Sequence, residues 1–170
     1  MKKGIISAIL GTLITSTVLA ETSGYYTGVS YLSAENGMAG QSEYGSGYEI
    51  LVGYKINSLF AVEANYLDLG SFDFNSSNTE YSIDSDAFSI SALYTYPIDD
   101  FNLIGKLGYL FGNEDVSTIP EVDHLSDVSI NSLVLGAGLS YKLNKTIEIK
   151  TEFNITSYTN HGVIGINYYF

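Results

Sequence analysis

Charged side chains recur at every second position near the C-terminus, where Glu148, Lys150 and Glu152 alternate with Ile147, Ile149, Thr151 and Phe153. In an extended chain this spacing puts all three charges on one face. Glu63, between Val62 and Ala64, and Lys106, between Gly105 and Leu107, stand in similar apolar settings. The chemistry open to such residues is ion pairing. Catalysis finds less support, because the only histidines, His124 and His161, fall in expected connections. Ser126 and Asp127 beside His124 form no spacing that matches a nucleophile with its base, so no enzyme is expected. Asp84-Ser85-Asp86 lacks the Gly turn and bidentate Glu of a calcium loop and reads as a solvated acidic pair. No metal or cofactor is expected. Cysteine is absent, which removes a lipid-anchored lipoprotein and a disulfide-stapled domain.

The elements that must carry these charges are strands. The chain has 15 Tyr, 8 Phe and 17 Gly, with no Trp and 2 Pro. Beyond the N-terminus no stretch approaches the ~18 apolar residues of a spanning helix. Eight segments instead alternate large apolar with small or polar residues: 24–33, 47–56, 59–69, 86–96, 101–111, 128–143, 146–157 and 162–170. In the second, Tyr48, Ile50, Val52, Tyr54 and Ile56 oppose Glu49, Leu51, Gly53 and Lys55. In the sixth, Leu133, Leu135, Ala137, Leu139 and Tyr141 oppose Val134, Gly136, Gly138, Ser140 and Lys142.

A soluble sandwich would leave Gly28, Gly53, Gly108, Gly136, Gly138 and Gly165 on a wet face, where glycine only weakens a strand. In a narrow closed barrel, small residues must alternate with long ones to fill the interior. Aromatic residues near both ends of the apolar faces, such as Tyr25 and Tyr31 or Phe60 and Tyr66, fit interfacial girdles. The expected fold is therefore all-β: a closed eight-stranded antiparallel up-and-down transmembrane barrel, since lipid admits only helices or closed sheets. Inward Leu51, Leu93, Ile104, Leu110 and Val134 interrupt any water path, so conductance is expected to be small or absent.

Lys2 and Lys3, the apolar stretch from Ile5 to Ile14 and the small residues around Val18-Leu19-Ala20 have the form of a cleavable signal peptide. Cleavage is expected between Ala20 and Glu21, giving a signal at 1–20 and a barrel domain at 21–170. Short links at Asn57-Ser58, 97–100 and Asn144-Lys145 alternate with long ones at 34–46, 70–85 and 112–127 and a shorter one near 158–161. Because outer-membrane barrels have short periplasmic turns and longer extracellular loops, both mature termini are expected in the periplasm.

The segments Tyr26-Thr27-Gly28-Val29-Ser30, Val52-Gly53-Tyr54-Lys55-Ile56-Asn57, Val62 to Gly70, Gly105-Lys106-Leu107-Gly108-Tyr109 and Gly136 to Tyr141 look like recurring strand motifs. They resemble the small eight-stranded outer membrane protein beta-barrel family, which groups the OmpA transmembrane domain, OmpX, Ail-type and opacity-like porin-family proteins. The resemblance covers nearly the whole mature chain. It implies an outer-membrane location in a Gram-negative bacterium. It also implies that Ile164, Ile166, Tyr168 and Phe170, alternating at the end of the chain, form the signal read by the barrel assembly machinery. Tyr169 stands where many relatives have a basic residue, and a cell-wall tether of the OmpA kind is not expected.

Removing Lys2 and Lys3 with the signal leaves five lysines against 19 acidic residues. No basic patch exists to hold nucleic acid. Four acids (Glu49, Glu63, Glu148, Glu152) and four lysines (Lys55, Lys106, Lys142, Lys150) occupy inward positions and nearly cancel. Glu63, Lys106, Lys150 and Glu152 lie about four to eight positions along strands running the same way, so they are expected to form a cluster across the mid-lumen. Twelve acids sit in or beside the three long links, expected to be solvated loops. Divalent-cation bridging to lipopolysaccharide is the functional alternative there. The expected function is that of a structural, non-enzymatic, monomeric outer-membrane protein in contact with lipid and lipopolysaccharide. The alternative is an Ail-type adhesin binding host surface or matrix. A narrow pore and a lipid-modifying enzyme come behind both.

Overall fold

The computed structural model describes residues 24–38, 41–76, 79–119, 124–157 and 159–170. These form β1 (Gly24–Met38), β2 (Gln41–Lys55), β3 (Phe60–Ser76), β4 (Thr79–Ile98), β5 (Phe101–Ile119), β6 (His124–Lys142), β7 (Ile147–Ile155) and β8 (Thr159–Tyr169). Each strand pairs antiparallel with its sequence neighbours. The ladder from Tyr26↔Tyr169 to Asn36↔Thr159 joins β1 to β8 and closes the barrel.

Alternation dictates which residues face where, and the faces are inverted relative to a water-soluble protein. Val29, Leu133, Leu135 and Ile164 are more than half exposed on the outer wall, whereas Glu49 and Lys150 are 1 % exposed inside. Aromatic pairs bound the outer apolar band. Tyr25–Tyr54, Phe60–Tyr94, Phe101–Tyr141 and Tyr168–Phe170 have ring centroids 4.8 to 5.4 Å apart near the short-turn end. Tyr48–Tyr66 and Tyr109–Phe111 lie toward the opposite end. From Tyr25 to Tyr31 the strand runs ~20 Å at ~3.4 Å per residue, which at a tilt of ~35–45° spans ~15 Å of the membrane normal, inside the ~25 Å apolar band of outer-membrane barrels.

Two of the short turns are built alike. Asn57 Oδ1 accepts from the N–H groups of Leu59 (2.8 Å) and Phe60 (2.9 Å), and Asn144 Oδ1 accepts from those of Thr146 and Ile147 (both 2.8 Å). An Asn side chain can stand in for a backbone carbonyl in this way, so one residue type at the start of the link makes it tight. The turn between β4 and β5 places Asp99 at φ 54°, a left-handed conformation that Asp tolerates.

The opposite end departs from the sequence reading. The links expected at 34–46, 70–85 and 112–127 are strand over most of their length. The β1–β2 ladder reaches Met38↔Gln41, β3–β4 reaches Ser76↔Thr79 and β4–β5 reaches Glu80↔Ile119. Likewise, Thr159, Asn160 and His161 open β8 and do not form a link. The reason is physical: ladder hydrogen bonds satisfy the backbone whatever the side chains carry. Inward apolar residues also continue past the membrane band, with Ala34, Phe72, Ile83 and Ile130 all buried.

The extension is uneven. The β6–β7 ladder stops at Leu135↔Ile155 and the β2–β3 ladder at Tyr48↔Asp68, so the rim rises as two groups, the β1–β2 hairpin and the strands β3 to β6, while β7 ends low. Between Asp68 and Gly70 the β3–β4 register shifts by one residue, and Gly70 sits at φ 85°. This bulge switches the inward parity of β3, from Leu67 and Leu69 to Phe72, and a Cβ at such a φ is strained.

Candidate functional site

Lys106 on β5, Lys150 and Glu152 on β7 and Glu63 on β3 meet in the middle of the lumen. Lys106 Nζ lies 2.5 Å from Glu152 Oε2 and 3.2 Å from Glu63 Oε2. Lys150 Nζ lies 3.3 Å from Glu152 Oε1 and 4.0 Å from Glu63 Oε2. Glu49 of β2 belongs to the same group, 3.1 Å from Lys150 Nζ. Every one of these side chains is at least 97 % buried.

Neutral donors complete the shell around the carboxylates. The Tyr26 hydroxyl donates to Glu63 Oε1 at 2.9 Å, Ser30 to Glu49 Oε1 at 3.1 Å, and Asn65 Nδ2 to Glu49 Oε2 at 2.9 Å. Burying charges costs several kcal/mol per ion, repaid only where geometry is good and remaining lone pairs are satisfied. The shell meets that condition for both oxygens of Glu49. Closer to the short turns, Glu148 accepts from Asn102 Nδ2 (3.2 Å) and from the Tyr169 hydroxyl (3.1 Å). The ammonium of Lys55 lies 4.8 Å from the centroid of the Tyr169 ring, a cation–π distance.

Apolar layers flank the charges on both sides. Toward the short turns Tyr26, Leu51, Ala61, Leu93 and Ile104 pack together, with Tyr169 against them. Toward the long strands a larger group includes Leu32, Leu67, Leu69, Phe72, Ile83, Leu110, Ile130, Val134 and Val163. Close packing in the first layer requires glycine at position 53, because a Cβ there would run into the Tyr26 ring. Two cavities, about 20 Å³ and about 10 Å³, adjoin the charge layer on its two sides.

The residues singled out in the sequence are distributed as follows. Ile164, Ile166, Tyr168 and Phe170 lie exposed on the outer wall at β8 and its end, with the Phe170 N–H donating to the Tyr25 carbonyl at 3.1 Å. Ala20 and Glu21 lie outside the described residues, and His124 is described by its backbone position in β6 alone. Asp84 and Asp86 point outward from β4, and the Ser71 hydroxyl donates to Asp84. His161 is a correction: it is 97 % buried inside the barrel. Among the described residues no three His, Cys, Asp or Glu side chains are grouped to hold a metal ion.

Glu49, Tyr26 and His161 are the lumen groups that depth counting along β3, β5 and β7 leaves out. Glu49 and Tyr26 were legible as inward positions. Bringing them to Lys150 and Glu63 needs the register and tilt of the closed sheet, which a single strand does not carry.

The sequence profile of the outer membrane protein beta-barrel domain family matches residues 5–170. The chain belongs to that family and is an outer-membrane protein. Among solved structures it is similar to Ail, the attachment invasion locus protein of Yersinia pestis, in complex with the heparin analogue sucrose octasulfate. That match has 19 % identity and a TM-score of 0.66, over 88 % of this chain and 99 % of that one. It is also similar to Neisserial surface protein A (19 % identity, TM-score 0.60, 87 % and 99 % covered). OprG from Pseudomonas aeruginosa matches at 12 % identity and TM-score 0.61, with 88 % and 97 % covered. At these identities the likeness is one of fold. No significant relative is found among curated proteins.

Proposed function

We propose that this protein is a structural, non-enzymatic, non-conducting barrel of a Gram-negative outer membrane, working as a monomer and stiffened by its lumen charge layer. The observation that carries this reading is the stacking of apolar, charged and apolar layers of packed side chains in the lumen among the described residues, which argues against a continuous aqueous path. Residues 1–20 act as the signal peptide, cleaved between Ala20 and Glu21. The alternating Ile164, Ile166, Tyr168 and Phe170 serve the barrel assembly machinery, and both mature termini face the periplasm. Planar-bilayer recordings of the refolded barrel test the sealed lumen, with no discrete conductance steps expected. Regular single-channel openings overturn it. Sensitivity of a deletion strain to detergent and large antibiotics tests the envelope role.

A second reading, attachment at the cell surface, is favoured by the strands raised above the membrane band, the β1–β2 hairpin and β3–β6. The chain has no arginine, and its lysines beyond the signal are Lys106 and Lys150 in the lumen and Lys55, Lys142 and Lys145 at the short-turn end. The raised end therefore carries no lysine or arginine and many acids, among them the outward Asp84, Asp86 and Asp115. Charge complementarity favours a cationic partner, or lipopolysaccharide bridged by divalent cations, over a sulfated polysaccharide of the kind bound to Ail. Cells expressing the barrel should retain a basic peptide on solid phase and not heparin, and the reverse pattern sinks this reading.

A further inference from the structure

The smaller cavity beside the charge layer, about 10 Å³, is lined among others by Asn65, Asn154, His161, Glu49 and Lys106. Asn65 of β3, Asn154 of β7 and His161 of β8 are 1 %, 1 % and 3 % exposed. Asn65 Oδ1, Asn154 Oδ1 and His161 Nδ1 are buried without a hydrogen-bonding partner. Asn65 already spends its Nδ2 on Glu49, which fixes its carbonyl oxygen as the free end. A buried polar atom left unpaired is costly, so three around one cavity call for a shared partner.

We infer that this cavity is a binding site for one ordered water molecule, which donates to Asn65 Oδ1 and Asn154 Oδ1 and accepts from His161 Nδ1–H. The size suits it, since a cavity of ~10–15 Å³ with two to four polar partners holds a single water. Two acceptors and one donor match the two hydrogens and a lone pair of water. A metal cation suits the site less well, because the one carboxylate in the wall, Glu49, already has its oxygens engaged by Lys150, Ser30 and Asn65, and Lys106 adds a positive charge beside it. The assignment fixes His161 as the Nδ1–H tautomer. The water links β3 to β7 and β8, strands that are not neighbours of β3 in the sheet. Leu67, Leu110 and Val134 in the same wall separate it from the long-strand end, so its exchange with bulk is slow.

The test is NMR on the mature barrel in lipid nanodiscs, labelled with ¹⁵N at His and Asn. The expected result is a His161 nitrogen pattern of the Nδ1–H form, with water cross peaks at the His161 ring and the Asn154 side-chain amide. His161→Phe, checked for folding by heat-modifiable gel mobility, should weaken the water cross peak at Asn154. If that variant fails to fold, the wild-type tautomer and cross peaks decide. A folded wild-type barrel with no water cross peak at either residue overturns the inference. So does a shift of the Asn65 and Asn154 resonances when Na⁺ is replaced by Rb⁺, which would put a cation there.

Discussion

Lys106 Nζ and Glu63 Oε2 lie 3.2 Å apart although their strands, β5 and β3, are separated in the sheet by β4. The pair therefore crosses the lumen and fastens positions that no ladder hydrogen bond connects. Because both side chains are almost fully buried, removing either partner strands a charge in a low-dielectric interior, at a cost of ~3–5 kcal/mol.

Lys106→Met and Lys150→Met should each lower the urea midpoint of the folded barrel by an amount in that range. The double variant Lys106→Met with Glu63→Gln should recover part of the loss, since neither charge is then left alone. Additive effects in the cycle would mean that the two side chains do not couple.

Gly53 faces the Tyr26 ring, and that ring cannot easily yield. Its hydroxyl is held by Glu63 and its face packs against Tyr169 at 4.9 Å between centroids. Gly53→Ala should cost ~1–3 kcal/mol by overpacking. Combining it with Tyr26→Ala should cost less than the sum of the two single changes, as measured by urea titration. A Gly53→Ala barrel with unchanged midpoint would show that the layer has slack.

At Gly70, φ of 85° makes any side chain strained, at ~1–3 kcal/mol for a non-glycine residue. Gly70→Ala should therefore loosen the raised part of β3 and its partner. Hydrogen exchange should quicken at Ser71, Phe72, Ile83 and Asp84 and stay slow at Val62 and Ala92, which pair within the membrane band. Equal protection in both proteins at all six amides would refute this.

Phe170→Ala should impair membrane assembly, since the terminal aromatic closes the exposed Ile164, Ile166, Tyr168 row. Gel mobility of unheated and heated membrane fractions measures it. Undiminished compact, heat-modifiable protein would remove Phe170 from the assembly signal.

The central halves of the strands were readable because a period of two survives in the residues themselves, as in Glu148 to Phe153. The outer halves were not. Acidic, serine-rich stretches such as Ser82 to Asp86 resemble solvated loops in composition, yet their backbones pair as well as any other. Only inward Ile83, buried against Phe72 and its neighbours, marks the difference. His161 misled for the same reason, lying among polar residues in sequence while the closed sheet turns it inward. Lumen partnerships such as Glu49 with Lys150 depend on the stagger around the barrel, a property of all eight strands together.

The unequal height of the rim gives the molecule a front and a back. From Phe88 to Glu80 the β4 strand runs ~27 Å along its length at ~3.4 Å per residue, while β7 ends at Ile155, paired with Leu135. In the orientation proposed above, the β7 side lies low among the lipopolysaccharide sugars, and the β1–β2 hairpin and the β3–β6 strands stand clear of them. Anything arriving from the medium then meets the two raised strand groups first and finds the β7 side recessed behind them.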